Sequence, residues 1–257
     1  MFALSFFNVS FAQSPYKTKV SKDAVLIGSG IGLSVFDLYF IKTSTAPTLE
    51  ELNKLSRDNI NSFDRTATYN WSPAAMQASD ILLTASMTSP FLLLSSSTVR
   101  NNLATVSLMY AENLLLSFAV SHLSKAIFHR YRPYAYNENV PVELKLKTDT
   151  FLSFFSGHTT MAFSHAVFVS KLFTDYFPDS KWIPYVWGVN LLLSSTVGYL
   201  RFSSGAHFPT DIIVGAIVGS LVGYLIPLIH ENNEDRKDVT TQFENSYRNI
   251  ISFNITL

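Results

Sequence analysis

The stretch TDIIVGAIVGSLVGYLIPLI, residues 210–229, decides the fold. Its one charge, Asp211, lies at its start, and the rest is apolar apart from small polar residues and glycine. At about 1.5 Å of rise per residue, a helix of this length crosses a hydrocarbon layer of about 30 Å. Gly215, Gly219 and Gly223 recur every fourth position. That spacing puts them on one face, where the missing side chains let a neighbouring helix approach closely.

Working outward, five more apolar stretches occupy residues 24–41, 73–96, 103–128, 159–177 and 183–200, with most of the charge between them. The second is the weakest, its dense part running only over 81–94. The pattern predicts an all-α protein, a six-helix transmembrane bundle. Buried helices of a soluble all-α protein are the competing reading, because Asp37, Glu112, His165, Lys171 and Asn190 fall inside the runs. In a bilayer these groups would have to face the bundle interior or snorkel, since an acid at the membrane centre costs about 2.5–3.5 kcal/mol on insertion scales.

The chain has 257 residues, with 19 Lys+Arg balanced by 19 Asp+Glu and no cysteine. Neutrality excludes a general nucleic-acid binder, which needs a basic excess to displace counterions. Absence of cysteine excludes disulfides, thiolate metal sites and a cysteine nucleophile. Three regions follow: a signal-like segment over 1–20 with Ser10-Phe11-Ala12 resembling a cleavage site, a single membrane-embedded domain over 21–232, and a polar tail over 233–257. Between the first two runs, Thr48 and Glu51 form a capping-box pattern, opening a short amphipathic helix with Leu49, Leu52, Ile60 and Phe63 on one side.

Three clusters carry chemistry: Lys125 with Arg132-Pro133, then Ser156-Gly157-His158, then Arg201, His207 and Asp211. Lys125, Arg132 and Arg201 are three cations, two of them guanidinium forks suited to bidentate phosphate binding. Gly157 lets the backbone approach an oxyanion, amides opening the fourth helix point at it, and Ser156 adds a hydroxyl. His207 and Asp211 are one helical turn apart, so the carboxylate can orient the imidazole as a nucleophile, while His158 remains to protonate a leaving alkoxide. A His-x3-Asp pair also suits a metal, but a metal site needs a third donor and three cations would repel the ion. In an alternating bundle, Lys125, His158, Arg201 and His207 fall at the same membrane face. About 0.008 copies of Arg-x5-His-x3-Asp are expected by chance in this composition, so the pattern is not accidental. Outside the clusters, His122 and His165 read as helix-packing residues, His129 as facing the membrane interface, and His230 as a boundary residue.

These clusters resemble the three-part signature of the type 2 phosphatidic acid phosphatase superfamily, over a third of the chain. The resemblance implies a hydrolase with His207 as nucleophile, Asp211 as its partner and His158 as general acid. Lys125, Arg132, Ser156, Gly157 and Arg201 would bind the phosphoryl group, with no metal and no cofactor. Phe155 and Leu200 stand where the family often has Pro and Ser, changes that spare the chemistry.

With the site at the ends of membrane-spanning runs, the expected partners are the bilayer and a lipid phosphate or diphosphate, with no nucleic acid; no oligomeric state is read from the sequence. A vanadate-dependent haloperoxidase, a phosphotransferase and a non-enzymatic lipid-phosphate binder are the alternatives. Nine basic residues share the side of the amino terminus, against seven on the motif side beyond the three phosphate-binding cations. The positive-inside rule then turns the site outward, toward the periplasm of a bacterial inner membrane, whereas a cleaved signal would reverse it.

Overall fold

The structure, a computed structural model, describes residues 14–232. The cleavage-like Ser10-Phe11-Ala12 and the polar tail over 233–257 lie outside the described residues. Among them there are six long helices: α1 (Val20–Thr43), α2 (Pro73–Thr88), α3 (Leu103–Phe128), α4 (Gly157–Tyr176), α5 (Ile183–Ser203) and α6 (Pro209–His230). Each of the six apolar stretches thus forms a helix. Four of these segments are both long and apolar enough to cross a membrane: α1, α2 with its extension to Ser95, α3 and α6.

The burial pattern rules out the soluble reading. The only buried residues of α1 are Asp23, Gly30 and Asp37, while Val20, Val25, Ile31, Val35, Phe36 and Leu38 are more than half exposed. On α6, Ile213, Ile217, Leu221 and Leu228 face outward and the glycines face in. Polar groups inside and large aliphatic side chains outside invert the arrangement of a water-soluble helix, and they suit a hydrocarbon solvent. Asp37, Glu112, His165 and Lys171 are all buried, as a bilayer requires of them. The chain is an integral membrane protein.

Helix α6 packs on α4 backbone to backbone. A Cβ placed on Gly219 would lie 2.2 Å from the Thr160 carbonyl oxygen, and one on Gly223 would lie 2.2 Å from that of Ser164. The sequence expectation of a packing stripe holds here in its strongest form. A compact apolar cluster of Val106, Met109, Phe168, Leu172 and Ile226 fills the space between α3, α4 and α6.

Two local expectations change. The weak second stretch leaves α-helical form at Ser89 and continues as a 3-10 helix to Ser95, because Pro90 lacks the N–H that an α-helix would need there. The capping box at Thr48 and Glu51 forms, but its helix ends at Asn53. Ile60 and Phe63 therefore belong to separate short turns rather than to one amphipathic face. That segment folds back over the site: Asp64, fully buried, accepts the Thr210 N–H at 3.0 Å and so caps the start of α6.

Candidate active site

The motif residues come from four places at one end of the bundle. Lys125 lies in the last turn of α3. Arg132 follows His129, whose left-handed φ of 33° ends that helix. Gly157 and His158 open α4, Arg201 lies in the last turn of α5, and His207 precedes α6. The left-handed turn at Gly205 (φ 72°) sets the approach to His207; a Cβ there would lie 2.2 Å from the Asn70 carbonyl oxygen. Only glycine fits this position.

His207 is 1% exposed, and both its ring nitrogens have partners. Nδ1 lies 2.8 Å from the Ser153 carbonyl oxygen, and Nε2 lies 3.0 Å from Nη1 of Arg132. A carbonyl can only accept and a guanidinium can only donate, so Nδ1 carries the proton and Nε2 presents its lone pair. Burial, then the charges of Arg132, Arg201 and Lys125, hold this imidazole well below the ordinary histidine pKa. The ring is therefore neutral, in the tautomer a nucleophile needs, and its unprotonated nitrogen accepts from Arg132.

Asp211 departs from the simple His–Asp pair expected from spacing. Its Oδ2 is 3.6 Å from Nδ1 of His207, too far for a hydrogen bond. That oxygen instead accepts from the Ser153 hydroxyl at 2.6 Å and the Phe208 N–H at 2.9 Å. Oδ1 accepts from Arg130 at 2.6 Å. The direct orienter of His207 is the Ser153 carbonyl, and Asp211 fixes both that serine and the turn carrying the histidine.

The phosphate-binding candidates form the walls. A Cβ on Gly157 would meet Lys125 Nζ at 3.4 Å, so backbone and ammonium approach closely. Ser156 is fully buried and accepts from the Thr159 N–H as the N-cap of α4, one layer behind the surface that Gly157 and His158 present. Nε2 of His158 lies 2.8 Å from Asp80, and Arg201 reaches the same carboxylate at 3.5 Å and the Ser79 hydroxyl at 3.2 Å. Arg132 is held by Asp149 through both its carboxylate, at 2.8 Å, and its carbonyl, at 2.9 Å. Burial alone would raise the Asp149 carboxyl; Arg132 and Lys125 bring it below the usual range.

Four groups in this arrangement escaped the sequence reading: Asp80, Asp149, Ser153 and Arg130. Arg130 bridges Asp64 at 2.8 Å and Asp211 at 2.6 Å, and its guanidinium stacks 4.0 Å over the Phe208 ring. Only Arg130 had a visible signal, as a cation two residues from Arg132. The acids sit in segments with no motif around them, so their pairing is purely a product of tertiary structure.

Comparison with known proteins places these observations. A 73-residue stretch is 38% identical to the lipid A 4'-phosphatase of Porphyromonas gingivalis, covering 28% of each chain. A 126-residue stretch is 31% identical to the probable diacylglycerol pyrophosphate phosphatase 1 of Schizosaccharomyces pombe, covering 44% of each. The matched stretches thus span less than half the length of either relative. Two solved structures are also similar. The transmembrane PAP2 type phosphatidylglycerolphosphate phosphatase of Bacillus subtilis is 19% identical, covering 77% of this chain and 93% of its own, with a TM-score of 0.39. Aquifex aeolicus LpxE is 26% identical, covering 59% of this chain and 86% of its own, with a TM-score of 0.36. The profile of the PAP2 superfamily matches residues 107–235, half of the chain, and all three basic and imidazole clusters lie inside that match, so the chain belongs to the PAP2 superfamily.

Proposed function

We propose that this protein hydrolyses a lipid phosphate or diphosphate through a phosphohistidine, with the site at one face of a six-span bundle. The observation that carries the reading is the His207 imidazole: neutral, oriented by a carbonyl, in contact with Arg132 and within the field of Arg201 and Lys125. Binding alone would need only the cations.

In the reaction, Lys125, Arg132 and Arg201 take the phosphoryl oxygens, with the first amides of α4 behind Gly157. Arg132 moves its Nη1 from His207 to the phosphate, releasing the nucleophile's lone pair. Nε2 attacks phosphorus as the bond to the lipid oxygen breaks, and His158 gives that oxygen its proton. Water, deprotonated by His158, then attacks the phosphohistidine, returning His207 neutral and releasing inorganic phosphate. Asp211 holds the geometry through Ser153 and Phe208.

Lipid is favoured over a soluble phosphate by what lies beneath the site. One turn below Ser79, which holds Arg201, an apolar cavity of about 740 Å³ begins at Leu82 and runs between α2, α4 and α5 past Val169, Phe173, Tyr185 and Leu193. It is suited to an acyl chain whose headgroup sits among the cations. The relatives that act, by name, on lipid A and on diacylglycerol pyrophosphate support the same class. By the basic-residue count the site faces outward, toward the periplasm of a bacterial inner membrane.

The test is phosphate release by the purified protein from phosphatidic acid, phosphatidylglycerophosphate, undecaprenyl diphosphate and lipid A, with a His207→Ala variant alongside. Release from at least one lipid that vanishes in the variant is the expected result. No release from any of them, or equal release from both proteins, would sink the reading.

A further inference from the structure

At the end of the bundle away from the phosphate site, three helices each contribute one buried metal-ligating side chain to a single point. Asp23 lies in the first turn of α1, Glu112 within α3, and His230 at the last position of α6. Their donor atoms all lie within 4.8 Å of one another. Glu112 is thirteen positions from Lys125 on one helix, which separates the two sites by about 20 Å. His230, expected as a boundary residue, closes α6 and is fully buried.

The hydrogen bonds fix what faces the centre. His230 Nδ1 lies 2.8 Å from the Ile226 carbonyl oxygen, which can only accept, so Nδ1 holds the proton. Nε2 faces Asp23 Oδ1 at 3.1 Å and Glu112 Oε2 at 3.3 Å, and it is the ring nitrogen open to a metal. Glu112 is 0% exposed, and both its carboxylate oxygens lack a hydrogen-bond partner. Two buried carboxylates thus converge on a single imidazole nitrogen, and one imidazole cannot offset both acids, an arrangement that costs several kcal/mol unless a further cation sits between them. The neighbouring lysines are committed elsewhere: Lys22 donates to the Ile229 carbonyl at 2.8 Å, and Lys171 pairs with Asp175 and Glu231.

We propose that Asp23, Glu112 and His230 bind a divalent transition-metal ion of the zinc or manganese class, which staples α1, α3 and α6 together. Two carboxylates and one neutral imidazole neutralise a divalent charge. The imidazole selects this class over magnesium or calcium, which prefer oxygen ligands alone. Ligands bound at about 2.1 Å in tetrahedral geometry are about 3.4 Å apart, close to the separations seen. The supporting shell is also present: the Ile226 carbonyl sets the tautomer of His230, and the Lys19 N–H holds the second oxygen of Asp23 at 2.9 Å.

The experiment strips the full-length protein in detergent with a chelator, reloads it with zinc, and counts metal by elemental analysis after dialysis. One zinc per chain is expected in the wild type and in His207→Ala. Glu112→Gln and His230→Gln should each retain under about a tenth of that. Because a substitution at a buried triad can unfold the chain, the wild type is also loaded with cobalt, whose visible spectrum should report nitrogen and oxygen ligands and disappear on adding zinc. A wild type that retains no zinc and takes up no cobalt overturns the proposal and leaves a protonated His230 between two acids. Full zinc retention by both triad variants overturns it equally.

Discussion

Nη1 of Arg132 lies 3.0 Å from Nε2 of His207, so the proposed nucleophile is hydrogen-bonded at rest by one of the cations that would bind its target. The same guanidinium is anchored from behind by Asp149 at 2.8 Å. The proposed reaction requires that fork to keep its plane while one nitrogen changes partner. Arg132→Lys preserves the charge but not the fork and should lower kcat/KM about a hundredfold. Asp149→Asn should lower it about tenfold, mostly in kcat. Steady-state kinetics on the best lipid substrate measures both, and an Arg132→Lys enzyme with wild-type kcat/KM would contradict the role.

The pKa of His207 is held below its unfolded value of about 6.5. Below that pH the unfolded chain takes up a proton that the native site refuses. Stability therefore declines as pH falls through 6.5 toward the native pKa, by up to about 1.4 kcal/mol per pH unit, and has no such dependence above it. Nitrogen NMR of labelled histidine should find the neutral Nδ1–H tautomer at pH 6. An imidazolium signal for His207 at that pH would be inconsistent with the site as described.

Asp80 contacts both His158 and Arg201, occupying in the resting protein groups that a phosphate would use. Removing its charge should tighten product binding. For a half-exposed carboxylate the change is about 1 kcal/mol, so Asp80→Asn should lower the inhibition constant for inorganic phosphate about fivefold. A raised or unchanged constant would show that Asp80 does not compete with the anion.

Arg130 bridges Asp64 and Asp211, and both acids are buried. Arg130→Ala would strand two carboxylates and should cost about 3–5 kcal/mol of stability. Thermal unfolding in detergent should show a large drop in Tm, and Arg130→Ala melting within a degree or two of wild type would refute the bridging role.

Glycines differ sharply in what they tolerate. Gly219→Ala drives a methyl into the Thr160 carbonyl and should separate α6 from α4, with loss of folded protein. Gly188→Ala meets nothing within 4 Å and should be neutral or stabilising by up to about 1 kcal/mol. Detergent-solubilised yield and Tm of the pair distinguish a packing seam from a stripe of incidental small residues.

The helices and the three clusters were legible because both depend on local sequence: apolar run length for one, residue spacing for the other. The partners of those clusters were not. His207 and Asp211 are four positions apart, yet the hydrogen bond goes to the Ser153 carbonyl, since the turn through Gly205 and Pro209 is not helical at His207. Asp64 and Asp80 lie between 66 and 146 positions from the groups they pair with. No periodicity encodes such contacts, and a short polar segment between two apolar runs reads the same whether it caps an active-site helix or fills a loop.

Helix α1 carries two buried acids, Asp23 and Asp37, on an otherwise apolar surface. Asp37 meets His122 of α3 at 2.7 Å, and Asp23 meets His230 at the far end of α6. Alone in a bilayer, each acid would cost a few kcal/mol. Of the long helices among the described residues, α1 comes first, yet Asp23 meets its partner only at the end of α6. Removing the His230 imidazole should therefore loosen α1, an early helix, through a contact made by a late one, so that the bundle is secured from its far end.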